Sequence, residues 1–276
     1  MTNYFTKVAN PKFSICTPVW FDKEGTDNER QPRYEMFLRC VWSVLSQTFK
    51  DFEWIIYDDM CNPPVEDVIK PFREMGLNVK AIRASEKSGR IIARNACMKE
   101  ATGEWITWLD GDDEYASIYL EAINEASKTY PDFKMFNFNH LIFSYDFSVY
   151  IRDFMDMEEQ GMEPFKSGRI GAGSYVFKKE VYDKIGPLPE KGLWDLSEWA
   201  FEHYPEIKPL YLNPHNGGYD SLGNPWGEDF LYWYMMTRLY KAKKLNTALY
   251  YVHSHWGHKW AEEEPGKLPQ HNPNLV

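Results

Sequence analysis

Short apolar runs bounded by polar turns recur along the first half of the chain. Residues 13–19 (FSICTPV) and 54–57 (WIIY) are rich in β-branched and aromatic side chains, and each run ends in turn-forming or acidic residues. Runs of this length and composition are typical of buried strands. Between them, large apolar residues recur three or four positions apart: Tyr34, Phe37, Leu38, Val41, Trp42 and Leu45. This period predicts a helix that packs one face against the sheet.

The same alternation continues through the first half. It predicts helices over residues 65–75, 88–101 and 116–128, and strands over residues 79–83 and 105–109. Helices that connect successive strands at crossover length favour parallel pairing with right-handed connections. We therefore predict an α/β fold with a Rossmann-like, mostly parallel central sheet flanked by helices, and a smaller region built by the second half.

The pattern is less regular further along. Residues 134–150 alternate aromatic and polar side chains, and residues 152–166 are acidic and rich in methionine. Residues 261–276 contain several prolines and few apolar side chains, so we expect an extended C-terminal tail. The sequence has no internal repeat and no linker-like segment, which favours a single domain over residues 1–276.

Charge and cysteine content narrow the class of protein. The formal net charge of −10 disfavours binding to duplex nucleic acid, which needs a compensating basic surface. The first residues lack the apolar core of a signal peptide, and no apolar run approaches the roughly 20 residues that span a bilayer. The four cysteines lack CxxC spacing, which is typical of buried free thiols. These features predict a cytoplasmic protein, or one at the inner membrane surface.

Carboxylates follow two of the predicted strands, at the ends where open α/β sheets bind ligands. Asp58 and Asp59 follow one strand, and the sequence Asp-Gly-Asp-Asp occupies residues 110–113 after another. Clustered carboxylates repel one another unless a cation or hydrogen-bond donors offset their charge, and hard oxygen ligands suit Mg or Mn. Taken alone, an Asp-Gly-Asp-Asp segment is also typical of a solvated turn.

The chain resembles the family 2 glycosyltransferases, which have the GT-A fold, from about Phe13 to Asp113. The segments that carry the resemblance are FSICTPVW, SVLSQTFKDFEWIIYDDM, SGRIIARNACMKEATGEW and WITWLDGDDEY, in the family's order and spacing. Weaker similarity is present at residues 171–186 and 226–230. The resemblance implies an inverting, metal-dependent enzyme that moves a sugar from a nucleotide sugar, with a UDP-sugar favoured, to an acceptor hydroxyl.

The resemblance also implies how one GT-A domain is divided. Residues 12–140 would bind the nucleotide sugar, and residues 141–260 would bind the acceptor. A carbohydrate, a lipid-linked sugar or another hydroxyl compound would serve as acceptor, and the sequence does not separate these classes or predict an oligomeric state.

Roles at the nucleotide pocket follow from the same resemblance. Thr17 and Pro18 would line the base and ribose, while Asp59 would accept a hydrogen bond from the ring N–H of a uracil-like base. Arg94, with Arg90 one turn earlier, would bring a fixed positive charge to the nucleotide. From the residues alone, Asp59 and its neighbour could instead cap the following turn, and Arg90 could be an exposed helical arginine.

The three aspartates of residues 110–113 would have different roles. By resemblance, Asp110 would serve the ribose and sugar side, Asp112 would bind Mg or Mn, and Asp113 would support or share the ion. The cation would neutralise the charge that develops on the departing diphosphate.

A general base is needed to take the proton of the acceptor hydroxyl. Asp229, in Trp-Gly-Glu-Asp-Phe ahead of a helix-like segment, matches the family's acid pair, and Glu228 is the alternative. Either residue could instead be an acid that complements the N-terminal end of the helix dipole.

Three histidines lie in one short segment near the end of the chain: His253, His255 and His258. Some GT-A enzymes take a histidine from this region as a further metal ligand, and alternation along a strand would point His253 and His255 the same way. We expect one of these two, and not both, to bind the metal.

Residues 20–32 depart from the family, because this segment is longer and more charged than the usual link after the first strand. It contains a single glycine and more acidic than basic residues, which disfavours a sugar nucleotidyltransferase, since that class needs a glycine-rich basic loop there. A carbohydrate-binding protein that has kept the fold without turnover is the other alternative.

Overall fold

The computed structural model describes residues 10–23, 33–144, 148–153, 173–188, 228–237 and 239–253, together with the single positions 202 and 205. The elements of the first half are β1 (Phe13–Val19), α1 (Arg33–Leu45), β2 (Phe52–Asp58), α2 (Val65–Glu74), β3 (Val79–Arg83), α3 (Arg90–Glu100), β4 (Trp105–Trp108), β5 (Glu114–Tyr115) and α4 (Tyr119–Thr129). Those of the second half are β6 (Met135–Phe143), β7 (Val149–Arg152), β8 (Tyr175–Lys178), α5 (Lys179–Ile185), α6 (Glu228–Thr237) and β9 (Lys243–His253).

The described strands form one curled sheet in the order β3-β2-β1-β4-β8-β6-β9-β5, with β7 paired to β6. Strands β3, β2, β1 and β4 are parallel, as the alternation of strands and helices predicts. Strand β8 is antiparallel to both β4 and β6, and β9 is parallel to β6. Strand β9 therefore ends at the same edge of the sheet as β1, β2 and β4.

Apolar side chains cover both faces of this sheet. Successive residues of β2 alternate between two hydrophobic clusters: Trp54 and Ile56 join one, and Ile55 and Tyr57 join the other. Helices α1, α2 and α4 cover the first face, while α3, α5 and α6 cover the second. Burial on both faces explains why the strands appear in the sequence as continuous apolar runs.

Two helices begin later than their apolar spacing predicts. The helix predicted over residues 88–101 starts at Arg90, because Gly89 has a φ of +82° that a helix does not accept. The helix predicted over residues 116–128 starts at Tyr119, because Ala116 donates its backbone N–H to the carbonyl of Leu249. The alternating segment 134–150 contains all of β6 and the first two residues of β7.

The four cysteines are buried free thiols, as predicted. No helix among the described ranges is both long enough and apolar enough to cross a membrane. The predicted extended tail, residues 261–276, and most of the charged segment at residues 20–32 lie outside the described residues. The division into a donor half and an acceptor half stays a prediction.

Candidate active site

The carboxyl ends of β1, β2, β4 and β9 meet at one edge of the sheet. The sequence places Thr17 and Pro18 near the end of β1, Asp59 after β2, residues 110–113 after β4, and His253 at the end of β9. All the predicted site residues on these four strands therefore lie along a single edge, where the connecting loops converge.

The acidic loop, residues 110–113, packs tightly against the end of β1. The backbone N–H of Gly111 donates to the carbonyl of Pro18 at 3.3 Å. A Cβ atom on Gly111 would lie 2.6 Å from Cγ2 of Val19, so no larger residue fits without displacing the loop. A turn within the loop is closed by the N–H of Asp113, which donates to the carbonyl of Asp110 at 3.0 Å. The segment is thus a fixed loop on the sheet, and Asp113 is buried in it.

Arg94 and Asp110 form an ion pair beneath this loop. Nη2 of Arg94 lies 2.9 Å from Oδ1 and 3.2 Å from Oδ2 of Asp110. The guanidinium also lies over the Trp108 ring, 4.7 Å from its centroid. Helix α3 supplies Arg94, and the end of β4 supplies Trp108, so the arginine is held between two elements. That Arg94 brings a positive charge to the nucleotide stays a prediction.

Asp113 is surrounded by like charge. Burial raises the pKa of its carboxyl group well above the usual value, and the carboxylates of Asp112 and Asp110 raise this pKa further. Two groups of β9 act in the opposite direction: the hydroxyl of Tyr250 and the backbone N–H of His253, which donates to Oδ1 of Asp113 at 3.2 Å. The loop therefore carries concentrated negative charge that hydrogen bonds offset only in part.

Asp58 and Asp59 have different roles despite their adjacency. Asp58 is buried and accepts hydrogen bonds from the backbone N–H groups of Cys61 and Val65, at 2.7 and 3.0 Å. Its Oδ2 also pairs with Arg83 at 2.5 Å. Asp58 thus holds the turn and the first residue of α2, as the capping alternative predicts.

Asp59 binds the segment that precedes α3. Its Oδ1 accepts from the backbone N–H of Ser88 at 2.7 Å and from the Ser88 hydroxyl at 3.0 Å, and its Oδ2 accepts from the N–H of Gly89 at 3.0 Å. The carboxylate is therefore oriented by three donors at the edge where a base is expected to bind. Its predicted contact with a uracil-like base stays a prediction.

The other predicted nucleotide contacts are unequally placed. The side chain of Thr17 is fully buried, and its hydroxyl accepts a hydrogen bond from the indole N–H of Trp54 at 2.8 Å. A ligand at this edge would consequently meet the backbone of Thr17 rather than its hydroxyl. Pro18 is partly exposed beside the acidic loop, and Arg90 is exposed as the first residue of α3.

His253 is held by a carboxylate that the sequence did not single out. Its Nε2 lies 2.7 Å from Oε1 of Glu114, and its ring stacks on Phe143 with centroids 4.9 Å apart. Nε of Arg39, from α1, lies 3.3 Å from the same Glu114 oxygen. Metal-binding histidines commonly use one ring nitrogen for a carboxylate in this way. The predicted ligation by His253 is untested, and His255 lies outside the described residues.

The predicted base lies on a helix whose first residues are described only by their backbone. Glu228 and Asp229 begin α6, and their side chains lie outside the described residues. One turn later, Tyr232 stacks on Trp108, with centroids 5.6 Å apart. The beginning of α6 is thus tied to the end of β4, which leads directly into the acidic loop.

The donor set of the loop fits a hard divalent cation. Asp112 is partly exposed and Asp113 is buried beside it, so two carboxylates lie together where their repulsion is costly. Mg²⁺ is commonly bound by one or two carboxylates, with water and substrate phosphates as its other ligands. Across the described ranges, no three His, Cys, Asp or Glu side chains are arranged as a complete metal site.

Comparison with known proteins agrees with these observations. The model of glycosyl transferase family 2 matches residues 26–156, which include the helix of Arg94 and the acidic loop. Glycosyltransferase GlyA of Streptococcus pneumoniae serotype 4 is 27% identical over 250 residues, covering 82% of this chain and 33% of GlyA. The putative teichuronic acid biosynthesis glycosyltransferase TuaG of Bacillus subtilis is 31% identical over 121 residues, covering 44% of this chain and 42% of TuaG.

The fold is also similar to that of a solved glycosyltransferase. The crystal structure of S. aureus TarS in complex with UDP matches with a TM-score of 0.57 and 16% identity, over 88% of this chain and 60% of the TarS chain. The chain spans less than half the length of GlyA and of TuaG. Residues 26–156 are therefore similar to glycosyl transferase family 2, and the fold of the chain is similar to that of GT-A glycosyltransferases.

Proposed function

We propose that this chain is an inverting glycosyltransferase that moves a sugar from a nucleotide sugar to an acceptor hydroxyl with the help of a divalent cation. The observation that carries the proposal is the meeting of Asp59, the Arg94–Asp110 pair and the acidic loop at one edge of the sheet. Relatives named as glycosyltransferases support the reaction class.

A UDP-sugar is the donor we favour. Asp59 is oriented at the site edge by the N–H groups of Ser88 and Gly89, and its carboxyl oxygens there are suited to accept from the ring N–H of uracil. The TarS structure was solved with UDP, which supports the same choice. Arg94 and Asp110 would together fix the ribose and diphosphate side of the donor.

Asp112 and Asp113 are the residues we propose to hold Mg or Mn. The cation would supply positive charge next to the diphosphate, which lowers the cost of its departure. One of His253 and His255 would add a nitrogen ligand. The crowding of the buried Asp113 carboxyl group by Asp110 and Asp112 supports this assignment, because a bound cation would offset the burial and repulsion that raise its pKa.

Asp229 is the general base in this proposal, with Glu228 as the alternative. It would accept the proton of the acceptor hydroxyl while that oxygen attacks the anomeric carbon from the side opposite the diphosphate, which inverts the configuration. An acidic residue at the beginning of α6 suits this position, because the helix dipole favours negative charge there. The acceptor we propose is a carbohydrate or lipid-linked sugar, in line with the teichuronic acid biosynthesis named for TuaG.

The first experiment is a donor screen. Purified protein is incubated with individual nucleotide sugars in the presence of Mn²⁺ or Mg²⁺, and release of the nucleoside diphosphate is measured with and without EDTA. We expect metal-dependent release from at least one UDP-sugar. If no nucleotide sugar is bound or hydrolysed, the proposed activity is wrong.

Two variants then separate binding from transfer. Asp112→Asn should abolish metal-dependent donor binding in calorimetry, whereas Asp229→Asn should leave donor binding near normal and remove transfer. Asp132→Asn, which changes an exposed carboxylate ahead of β6, is the matched control and should change neither. If both site variants bind donor and transfer sugar like the wild type, these two assignments fail.

A further inference from the structure

The two carboxyl oxygens of Asp59 are unequally occupied by protein donors. Oδ1 accepts from the backbone N–H of Ser88 at 2.7 Å and from the Ser88 hydroxyl at 3.0 Å. Oδ2 accepts from the backbone N–H of Gly89 at 3.0 Å. Each carboxylate oxygen has about two positions that accept a hydrogen bond. Counting donors from the described residues, Oδ1 is therefore full, whereas Oδ2 keeps one position for a further donor.

The Ser88 hydroxyl is fixed by a second hydrogen bond. The Tyr57 hydroxyl oxygen lies 2.9 Å from Ser88 Oγ. Serine has one hydroxyl hydrogen, and Ser88 donates it to Asp59, so Tyr57 is the donor in this second bond. Tyr57 belongs to β2, and its side chain packs in the second hydrophobic cluster. A chain of donors thus runs from the core through Ser88 to Oδ1 of Asp59.

The loop that carries Ser88 is anchored on the end of β1. Nζ of Lys87 lies over the ring of Trp20, the residue directly after β1, at 3.5 Å from the ring centroid. The backbone N–H of Asp59 donates to the carbonyl of Val19, the last residue of β1, at 3.0 Å. Only 6% of Asp59 is exposed. The carboxyl group and its donors are consequently held in one arrangement.

Nucleobases differ in how well they match one open acceptor position. Uracil has a single ring N–H between two carbonyl groups. Guanine has a ring N–H beside an exocyclic amino group, so that edge needs two acceptors, and a donor left unpaired costs binding. The corresponding ring nitrogen of cytosine and of adenine carries no hydrogen and would place a lone pair against Oδ2. One open position on Oδ2 therefore fits uracil and disfavours the other three bases.

We propose that Ser88 determines the base specificity of the donor site, because its N–H and hydroxyl occupy Oδ1 of Asp59 and leave one acceptor for a base with one ring N–H. This inference rests on the nucleotide-sugar transfer proposed above. Ser88 acts through Asp59, so it is a positioning residue. Without its hydroxyl, Oδ1 would have an open position, and the carboxyl group could accept from both donors of guanine.

The test is Ser88→Ala, which removes the hydroxyl and keeps the backbone N–H. The dissociation constants of UDP and GDP are measured by calorimetry with Mn²⁺ present, for the wild type and the variant. We expect the wild type to prefer UDP. In Ser88→Ala the ratio of the GDP to the UDP dissociation constant should fall about tenfold, the scale of one hydrogen bond to a charged group. Ser88→Thr keeps a hydroxyl and should restore the wild-type ratio.

Transfer kinetics give a second readout of the same variant. The base lies away from the reacting atoms, so a weaker base contact should raise the KM for a UDP-sugar while kcat stays within about threefold of the wild type. Tyr57→Phe removes the donor to Ser88 and should lower the GDP-to-UDP ratio by a smaller factor than Ser88→Ala.

Ser85→Ala is the matched control, since Ser85 lies exposed in the same loop. It should change neither dissociation constant. A wild-type ratio in Ser88→Ala would overturn the inference, and so would an equal fall of the ratio in Ser85→Ala.

N3-methyl-UDP separates failure of this inference from failure of the proposed function. It has no ring N–H, so the wild type should bind it at least about tenfold more weakly than UDP. Equal binding of the two compounds would show that Asp59 does not contact a ring N–H, and the inference would be wrong while sugar transfer itself stands. A wild-type protein that binds neither UDP nor GDP would instead refute the proposed donor, and the role of Ser88 with it.

Discussion

Nη2 of Arg94 lies 2.9 Å from Oδ1 of Asp110, and only 3% of the arginine side chain is exposed against 28% of the aspartate side chain. The Arg94 guanidinium is thus buried, whereas the Asp110 carboxylate is partly exposed at the site. Moving the buried guanidinium would leave the Asp110 carboxylate without its counter-charge. This pair therefore fixes the position of Asp110, the first residue of the acidic loop.

Arg94→Lys should weaken donor binding. Lysine keeps the charge but lacks the planar guanidinium, whose Nη2 contacts both Asp110 oxygens and whose plane lies over the Trp108 ring. We expect the donor KM to rise about tenfold, equivalent to about 1.4 kcal/mol. Arg73→Lys, in the exposed pair with Glu66 on α2, is the control and should change stability by less than about 0.5 kcal/mol. Equal donor KM values in the two variants would contradict the role of Arg94.

Gly111→Ala should displace the acidic loop. Its new Cβ would lie 2.6 Å from Val19 Cγ2, and the loop must move away from β1 to relieve this contact. We expect a loss of metal-stimulated activity of at least about tenfold and a stability loss of about 1–3 kcal/mol. Thermal unfolding and a Mn²⁺ titration measure the two effects.

Gly103→Ala is the control for this substitution. A Cβ there would lie 2.6 Å from the backbone of Phe13 and Ser14, at the opposite edge of the sheet. Gly103→Ala should lower the free energy of unfolding by a similar amount. The activity of the protein that remains folded should depend on Mn²⁺ as it does in the wild type. Identical effects of the two alanines on Mn²⁺ dependence would mean that the Gly111 contact does not set the loop.

Asp58→Asn and Asp59→Asn should separate stability from donor binding. Asp58 supports the turn into α2 through two backbone N–H groups and Arg83, so Asp58→Asn should cost about 2–4 kcal/mol of unfolding free energy. Asp59→Asn should mainly raise the donor KM, because its carboxylate lies at the proposed base pocket. Urea denaturation and donor kinetics are measured for both variants. A larger stability loss in Asp59→Asn, or a larger rise of the donor KM in Asp58→Asn, would contradict the prediction.

His140 should make stability fall in mild acid. Burial lowers the pKa of its imidazole from 6.5 to about 3, so the folded protein keeps this group neutral. Between these values the unfolded chain binds a proton that the folded protein does not, and stability therefore decreases as pH falls below about 6.5. From pH 7 to pH 5.5 this group should remove about 1 kcal/mol of unfolding free energy.

The comparison variant for this prediction is His140→Gln. It lacks the titrating imidazole, so its unfolding free energy from urea denaturation should depend less on pH over the same interval. Parallel pH dependences in the two proteins would show that the imidazole of His140 is not responsible.

The parallel half of the sheet was predictable because the apolar pattern within each segment determines its strands and helices. Strands such as β2 are buried on both faces and are continuous apolar runs, and the helices between them carry one apolar face. Helix starts were less predictable. Helix α3 begins at Arg90 and not earlier, because Gly89 has a positive φ and donates a hydrogen bond to Asp59. The tertiary structure sets both features, so the sequence does not show them.

The acids of the site were predictable for a similar reason, since carboxylates directly after strands must lie at the sheet edge. Their partners were not. Tyr250 contacts Asp110 across 140 residues of sequence, and it looks like any other aromatic residue of an alternating strand. Glu114 follows directly on the acidic segment, a signal that could have singled it out as a partner for His253. The roles of Asp229 and His255 stay predictions.

The pairing of the acidic loop with β9 sets an order of assembly. Both hydrogen bonds from β9 to the loop join residues 140 positions apart. During synthesis the aspartates therefore leave the ribosome long before the strand that steadies them, and the early strands can form without it. An unfinished polypeptide would carry the acids but not their support, so competence for chemistry would arise only once this late strand has been made.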